Sequence, residues 1–478
     1  MSEDDALGHL NNLTEAILQL TFGRNDVKRL DRTLRSQNVN LTFVYVDTLI
    51  QQERVNEMMT VILQENDSLK ILSFLGSTTV ESFEIAKEKL MTGHVLIQAG
   101  SKKWFAVSAP DTTGRAIESS DTETILYGAK DSFTEQINQN IMLIRRRIKH
   151  ARLCTHEFKA GSLTRTKMVL MSIDGITNSD VIQTVKNKLK KINFDMILNS
   201  SNVAEFIEDH TNSIFPQFEQ TDLPDYCADS LGKGKIVLLI ENSPFVLIGP
   251  TTFFDLFTSP EDYIHKWLIA SSLRIIRYIG FVLSLLIVPI YVALTTHHYQ
   301  MIPLQILYVL TDSRNQLPFS PFWEAFFMLF LVEILKEASL RMPSKTSQTL
   351  GIVGGIVIGD AAVRAGFVSV LLIVLIGVSA IASFLVPNYL LSKTNTIIQF
   401  VFLILSFLMG FFGIIVGLIG LLAHLNGLTS LKKPYLAPVA PFYWSDWKDF
   451  LLRFPIPWMK TRPDHLEAKN KWRITRRR

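Results

Sequence analysis

Two stretches without a formal charge, Ala365–Ser392 and Thr394–Leu431, dominate what this chain can fold into; only Lys393 separates them. Each exceeds the ~20 apolar residues a helix needs to cross the hydrocarbon core of a bilayer. Further apolar runs reach back to Tyr278, whereas residues 1–270 are mixed and charged, with ordinary strand and helix patterning. The 478 residues are therefore read as α+β. A soluble N-terminal region of two α/β subdomains precedes an all-α, polytopic transmembrane domain.

The two subdomains are read from a likeness within the soluble half. GHVLIQAGSKKWFAVSAP (93–110) and GKIVLLIENSPFVLIGP (234–250) each look like two short strands around a turn. Upstream of each lies a strand ending near an aspartate and then a helix: LTFVYVD into VNEMMTVILQ, and KMVLMSID into VIQTVKNKLK. The expected divisions are 1–150 with a linking helix, 151–270, a transmembrane domain over 271–430 and a basic C-terminal tail over 431–478. In the linker FTEQINQNIMLIRRRIKHARL (133–153), Ile137, Ile141, Ile144 and Ile148 recur at helical spacing. Its Arg145–Arg147 triplet lacks interleaved aromatics, so a solvated or subunit-facing surface is expected and no nucleic-acid partner.

The chemistry of catalysis is not visible. GKGK at 232–235 lacks the spacing and terminal Ser/Thr of a phosphate loop, and no HExxH, CxxC or GxSxG occurs. Cys154 and Cys227 have no metal-ligand spacing and read as buried reduced thiols. No enzyme activity, metal or cofactor is expected. The acidic start, MSEDDALGHL, has no apolar core and does not resemble a secretory signal, which keeps the soluble region in the cytoplasm.

The first span is expected from Tyr278 to Leu294, with Arg274 and Arg277 just before it marking the inner side. Runs at 321–341, 351–365, 367–387 and 397–422 follow. The last residues, HLEAKNKWRITRRR, are strongly basic and suit an anionic lipid surface on the same inner side, which demands an even number of crossings. The 351–365 run would be only about 22 Å long as a helix, short of a ~30 Å hydrocarbon core. Four spans plus a re-entrant segment are expected, with five spans as the alternative. The last run exceeds one crossing, so tilt or an interfacial extension is expected there.

Ionisable residues interrupt this apolar landscape. In SPFWEAFFMLFLVEILKEASLRMP (320–343), Glu333 and Glu337 share a helix face, and Glu324 lies near the opposite one. In GIVGGIVIGDAAVRAG (351–366), Gly351, Gly355 and Gly359 form overlapping GxxxG patterns suited to close helix packing. Asp360 and Arg364 stand one turn apart in the same segment. Ionisable groups at membrane depth face protein or water rather than lipid. Two readings remain open: a polar path or gate lined by Glu324, Glu333, Glu337, Asp360 and Arg364, or a packing motif with a structural ion pair.

The run LPFSPFWEAFFMLFLVEILKEASLRMP followed by TLGIVGGIVIGDAAVRAG resembles the A subunits of GerA-type spore germinant receptors. The likeness extends through FPQ at 215–217, EDYIHKWLIASSLRIIRY, IASFLVP and KKPYLAP. It implies a subunit in the spore inner membrane with its soluble part facing the core. It also implies a transporter-like B subunit and a lipoprotein C subunit as partners, and self-association around an ion-conducting path. A paralogue, the stage V sporulation protein AF, shares these motifs. Asp360 stands where the family usually has Gln, and Leu223 where Arg is usual, which marks a divergent member. The alternatives to a nutrient-gated channel subunit are a secondary transporter of a small solute and a non-conducting scaffold of the germination complex.

Overall fold

A computed structural model of the chain describes residues 13–19, 25–34, 39–64, 76–99, 103–110, 129–314, 317–341 and 359–473. The soluble half is built from β1 (Val27–Leu34), β2 (Val39–Val46), α1 (Gln52–Gln64), β3 (Thr78–Val80), α2 (Phe83–Met91), β4 (His94–Ala99) and β5 (Trp104–Ser108). The linking helix α3 (Ile137–Arg147) leads to β6 (Leu153–Ala160), β7 (Thr166–Ile173), α4 (Ser179–Lys191) and α5 (Ser200–Ile207). Then come β8 (Glu219–Thr221), α6 (Pro224–Lys233), β9 (Ile236–Ile240) and β10 (Val246–Gly249). Each set forms a five-stranded antiparallel sheet, ordered β1-β2-β4-β5-β3 in the first and β6-β7-β9-β10-β8 in the second. The orders correspond strand for strand, and the two hairpins read from sequence occupy equivalent places.

Alternate residues of a strand face opposite sides of the sheet, and both sides of the second sheet are covered. Leu170, Ile236 and Leu238 meet Val181, Val185 and Val203 of α4 and α5. Val169, Val237 and Leu239 meet Ile141 and Ile144 of α3 and Cys227 and Leu231 of α6. Cys227 is buried and Cys154 half-buried, and neither is in a disulfide. Met142 of α3 belongs to the core of the first sheet, so the linking helix is shared.

Of the arginine triplet on α3, Arg146 is exposed, but the other two do not form the solvated or subunit-facing surface that was expected. Arg145 is buried, paired with Asp26 and donating to the Leu153 carbonyl at 3.2 Å. Arg147 pairs with Asp131 and Asp225. The first sheet's entry loop, which carries Asp26, is thereby tied to α3 and to Thr155 of β6.

The helical half comprises α7 (Trp267–Thr296), α8 (Leu304–Arg314), α9 (Pro321–Leu340), a short helix at 359–364, α10 (Val370–Ser383) and α11 (Tyr389–Gly427). Among the described residues, α7 and α11 are long and apolar enough to cross a membrane, and α10 is a shorter apolar helix. α11 is not the single tilted rod expected from its length. Residues 394 and 424 would lie about 45 Å apart in a straight helix, yet Thr394 donates to the Ile214 carbonyl at 2.7 Å and His424 lies 3.0 Å from Ser213. The reversal is at Gly410 (φ 60°, ψ −137°), in a backbone region that side chains disfavour. Beyond it, Gly417 packs against Phe402 and Leu405 of the outgoing limb.

Both limbs of α11 therefore end beside the second sheet, here called the near end. α7 starts there and reaches the far end, where His298 lies against Gly410. α10 crosses α7 at Gly280, where an added Cβ would come within 2.6 Å of Leu385 Cδ1. One hydrophobic cluster runs from Phe215, Phe253 and Phe257 into Phe281, Leu285, Leu391 and Leu425.

Two further expectations change. Arg274 and Arg277 lie inside α7, are buried, and share Asp262, at 3.2 and 2.8 Å respectively; they are not free inner-side charges. The segment after Leu431 is not a detached basic tail through Arg473. Ser430 Oγ and Tyr435 Oη donate to the Gln217 and Pro216 carbonyls, Lys469 N–H to Ile176, and Arg462 Nε to Gly232.

Removing one partner of a buried ion pair strands the other charge, at a cost of about 3–5 kcal/mol. Asp262→Asn is therefore expected to destabilise the detergent-extracted protein by about this amount, read as a lowered midpoint of chemical unfolding. The same change with Arg274 and Arg277 both replaced by Met should be milder than the single substitution.

Candidate functional site

The glutamates of α9 do not line one continuous path within the chain. Pro321 at the first helical turn and Ser320 before it start α9 at the far end. There Glu324 is buried, accepts from the Ser369 backbone N–H at 3.2 Å and lies 3.6 Å from Arg314 of α8. Its Oε1 has no hydrogen-bond partner among the described residues. Tyr291 of α7 reaches Ser369 at 3.2 Å, so this carboxylate stands where α7, α9 and the start of α10 meet.

Glu333 and Glu337 sit at the near end, roughly two and a half and three and a half turns further along α9. Lys393, the lone cation between the two apolar stretches, bridges them at 2.9 and 3.1 Å. Lys336 donates to Ser383 at 2.9 Å, and Arg341 pairs with Glu337 at 3.0 Å. This cluster pins the end of α9 to the α10–α11 corner. Lys393 thus has a definite reason to interrupt the apolar run: it neutralises two carboxylates on a neighbouring helix.

Asp360 and Arg364 do pair, at 2.8 Å, as their spacing suggested. They stand apart from the glutamates and are exposed, at 54% and 78% of their side chains. Gly359 has room around it, since an added Cβ would only touch Ile373 at 4.0 Å. Gly351 and Gly355 lie outside the described residues. Close packing within the chain is instead found at Gly280 and Gly417.

A polar cluster that the reading of charges overlooked lies between α7, α10 and α11. Asn395 Nδ2 donates to Ser284 Oγ at 2.6 Å, Gln399 Nε2 to Ser379 Oγ at 2.9 Å, and Ser379 Oγ to the Ser284 carbonyl at 2.9 Å. All four residues are buried, and Asn395 Oδ1 has no hydrogen-bond partner among the described residues. Asn395 and Gln399, one turn apart inside an apolar run, were the visible signal.

At the neck below the second sheet, Asp209 takes Lys188, Thr429 and the Lys432 backbone N–H. Burial pushes the neighbouring Glu208 carboxyl up to about 7, opposed by a hydrogen bond from the Gln217 backbone and reinforced by Glu205. Above the neck, Lys235 joins Glu219 at 2.7 Å and Asp255 at 2.9 Å, and Tyr226 also donates to Glu219. Lys235 belongs to the GKGK stretch, whose other lysine, Lys233, donates to the Tyr263 hydroxyl at 2.8 Å. Among the described residues no group of His, Cys, Asp or Glu is placed to hold a metal.

Lys393→Met should free two carboxylates to repel one another, loosening α9 from α10. The expected result is faster proteolysis or hydrogen exchange at the α10–α11 corner, restored when Glu333 and Glu337 are also changed to Gln. For Glu208, a folded-state value of about 7 against an ordinary 4.5 gives a stabilising contribution that is complete below pH 4.5 and lost as pH rises through 7. Thermal midpoints should fall across that window, and Glu208→Gln should flatten the decline.

A model of the Bacillus/Clostridium GerA spore germination protein family matches residues 15–465. Spore germination protein GerQA of Bacillus cereus is 36% identical over 96% of this chain and 93% of its own length. Spore germination protein KA of Bacillus subtilis is 36% identical over 97% of this chain and 87% of its length. An uncharacterised membrane protein of Bacillus subtilis, YfkQ, is 33% identical over 88% of this chain and 84% of its length. A solved N-terminal domain, from the A subunit of the Bacillus megaterium spore germinant receptor GerK3, aligns with 50% of this chain and 94% of its own. That alignment is at 24% identity and a TM-score of 0.39.

Proposed function

The chain belongs to the GerA family of spore germination proteins, and from that membership we propose that it is the membrane subunit of a nutrient germinant receptor. Its place is the spore inner membrane, with the sheets on the core side, beside a transporter-like B subunit and a lipoprotein C subunit. Several copies assemble around an ion-conducting path that opens when a partner binds nutrient. A ligand achieves this only by favouring the open arrangement over the closed one through differential contacts.

The reversal at Gly410 is the observation that carries the membrane reading. It returns the second limb of α11 to the near end, where α7 also begins, so an even number of crossings leaves both soluble parts on one side. The assembly is supported by the charges themselves. Glu324, Glu333 and Glu337 are engaged within the chain, whereas among the described residues Asp360 and Arg364 pair with each other alone and are exposed. In a membrane such a pair faces water or another protein surface rather than acyl chains. Neighbouring copies supply that surface, with Asp360 and Arg364 at the path and the α9 glutamates holding its walls.

The purified chain in planar bilayers should give discrete openings. Asp360→Asn with Arg364→Gln should shift the reversal potential in a salt gradient without reducing recovery of protein, because the pair lies outside the core. Solute counter-transport with no unitary openings would identify a carrier, and silence with normal germination a scaffold; either overturns the channel reading.

A further inference from the structure

The folded C-terminal segment carries a set of large apolar side chains that its own packing leaves uncovered. Phe442, Trp444, Leu451, Leu452, Ile456 and Trp458 are all exposed, Trp444 at 78% and Trp458 at 63%. Trp444, Ile456 and Trp458 belong to short 3₁₀ turns at Trp444–Lys448 and Ile456–Trp458. Exposed apolar patches of this kind mark a surface that something covers.

Two observations set the level of the patch. Arg453 N–H donates to Ser271 Oγ at 3.1 Å, and Arg274 Nη1 donates to the Asp449 and Phe450 carbonyls at 2.8 and 3.1 Å. The segment therefore lies beside the first two turns of α7, just ahead of the uninterrupted apolar run from Tyr278. The outer face of those turns is apolar and exposed as well, with Trp267, Leu268, Ile275 and Ile276 leading to Ile279. Aromatic rings also connect the two levels. Phe442 meets Trp447, Trp447 meets Phe450, Phe450 meets Phe254, and Phe254 meets Tyr278, with centroids 4.4–6.3 Å apart. The patch is continuous with the apolar helices.

Its composition selects the occupant. Tryptophan and other amphipathic rings settle at the headgroup level of a bilayer, flanked by basic side chains. Lys448, four residues after Trp444, and Lys460, two residues after Trp458, are both exposed. We propose that Phe442–Trp458 is a monotopic contact with the membrane. Its rings lie among the lipid headgroups of the inner leaflet and its lysines meet anionic phosphate. Through Asp449 and Arg453, this contact holds the start of α7 at a fixed depth. Lipid, not the far C-terminus alone, then positions the sheets over the helices. The inference rests on the proposed membrane placement of α7 and adds to it a second, non-spanning contact.

Nitroxide labels at single cysteines measure depth, using the full chain with Cys154→Ser and Cys227→Ala in phosphatidylglycerol–phosphatidylcholine vesicles. Trp444→Cys and Trp458→Cys are compared with Leu163→Cys, exposed on the β6–β7 turn, and Ile279→Cys on α7. At 444 and 458, collision with a water-soluble nickel chelate should be several-fold lower than at 163, and oxygen collision intermediate between 163 and 279. Nickel access equal to that at 163 overturns the lipid contact, and exclusion of both reagents shows a protein partner or second copy there instead. A label at 279 without bilayer depth overturns the membrane placement itself, separately from the contact. Leu452→Cys repeats the measurement should either tryptophan variant fail to fold.

Discussion

Asp262 sits between two arginines of the first long helix, and the relation of the sheets to the helices depends on that arrangement. Its carboxylate also accepts from the Ser259 backbone N–H, closing a cap on the turn that leads into α7. Arg274 reaches on to Asp449, which accepts from Tyr263, whose hydroxyl in turn accepts from Lys233 of α6. Isolated, each of these buried charges would carry several kcal/mol of desolvation cost. Together they offset one another only when sheet, helix and C-terminal segment occupy one relative position. Such a joint is poorly suited to sliding. It suits rigid transmission, in which rotation of the second sheet moves the start of α7 with it.

Gly410 provides the complementary constraint at the other end. A straight α11 would be about 58 Å long, far beyond a ~30 Å hydrocarbon core. Folding it at a position where φ is positive turns one overlong element into two limbs of ordinary length. Because the second limb returns to the neck, Ser430 and Tyr435 reach the Phe215–Gln217 loop, and the C-terminal segment closes over the ionic joint. The far-end reversal and the near-end joint are thus linked through the same two helices.

The paired hairpins and strand–helix sequences were legible because alternation and turn residues act locally. The i,i+4 pairing of Asp360 with Arg364 was legible for the same reason. What could not be read was who neutralises whom across distance. Arg145 lies on what sequence presents as a basic face, yet its partner Asp26 is 119 residues away. Lys393 marks a break between apolar runs, and nothing local says that Glu333 and Glu337 are what it breaks for. The reversal in α11 was hidden because Gly410 is one glycine among several in LMGFFGIIVGLIG, and only tertiary contact distinguishes the one at the fold. The C-terminal residues read as a tail because their charge was counted before their partners were known.

These pairings narrow where a polar path can lie. A carboxylate tied to a lysine on the next helix contributes to the wall and little to a passage, since moving it exposes the lysine as well. Glu333 and Glu337 are in that position. The Ser284–Ser379–Asn395–Gln399 cluster is different: neutral and buried, it joins α7, α10 and the first limb of α11 by hydrogen bonds that re-form readily when helices shift. Asn395 Oδ1 has no partner among the described residues, and leaving a buried acceptor unsatisfied costs about 1–3 kcal/mol. An arrangement of the three helices that supplied a donor to that oxygen would recover this cost. The energetic opening for a second state therefore lies between the helices, at Asn395, while the ion pairs around Asp262 at the near end keep α7 attached to the sheet that would drive it.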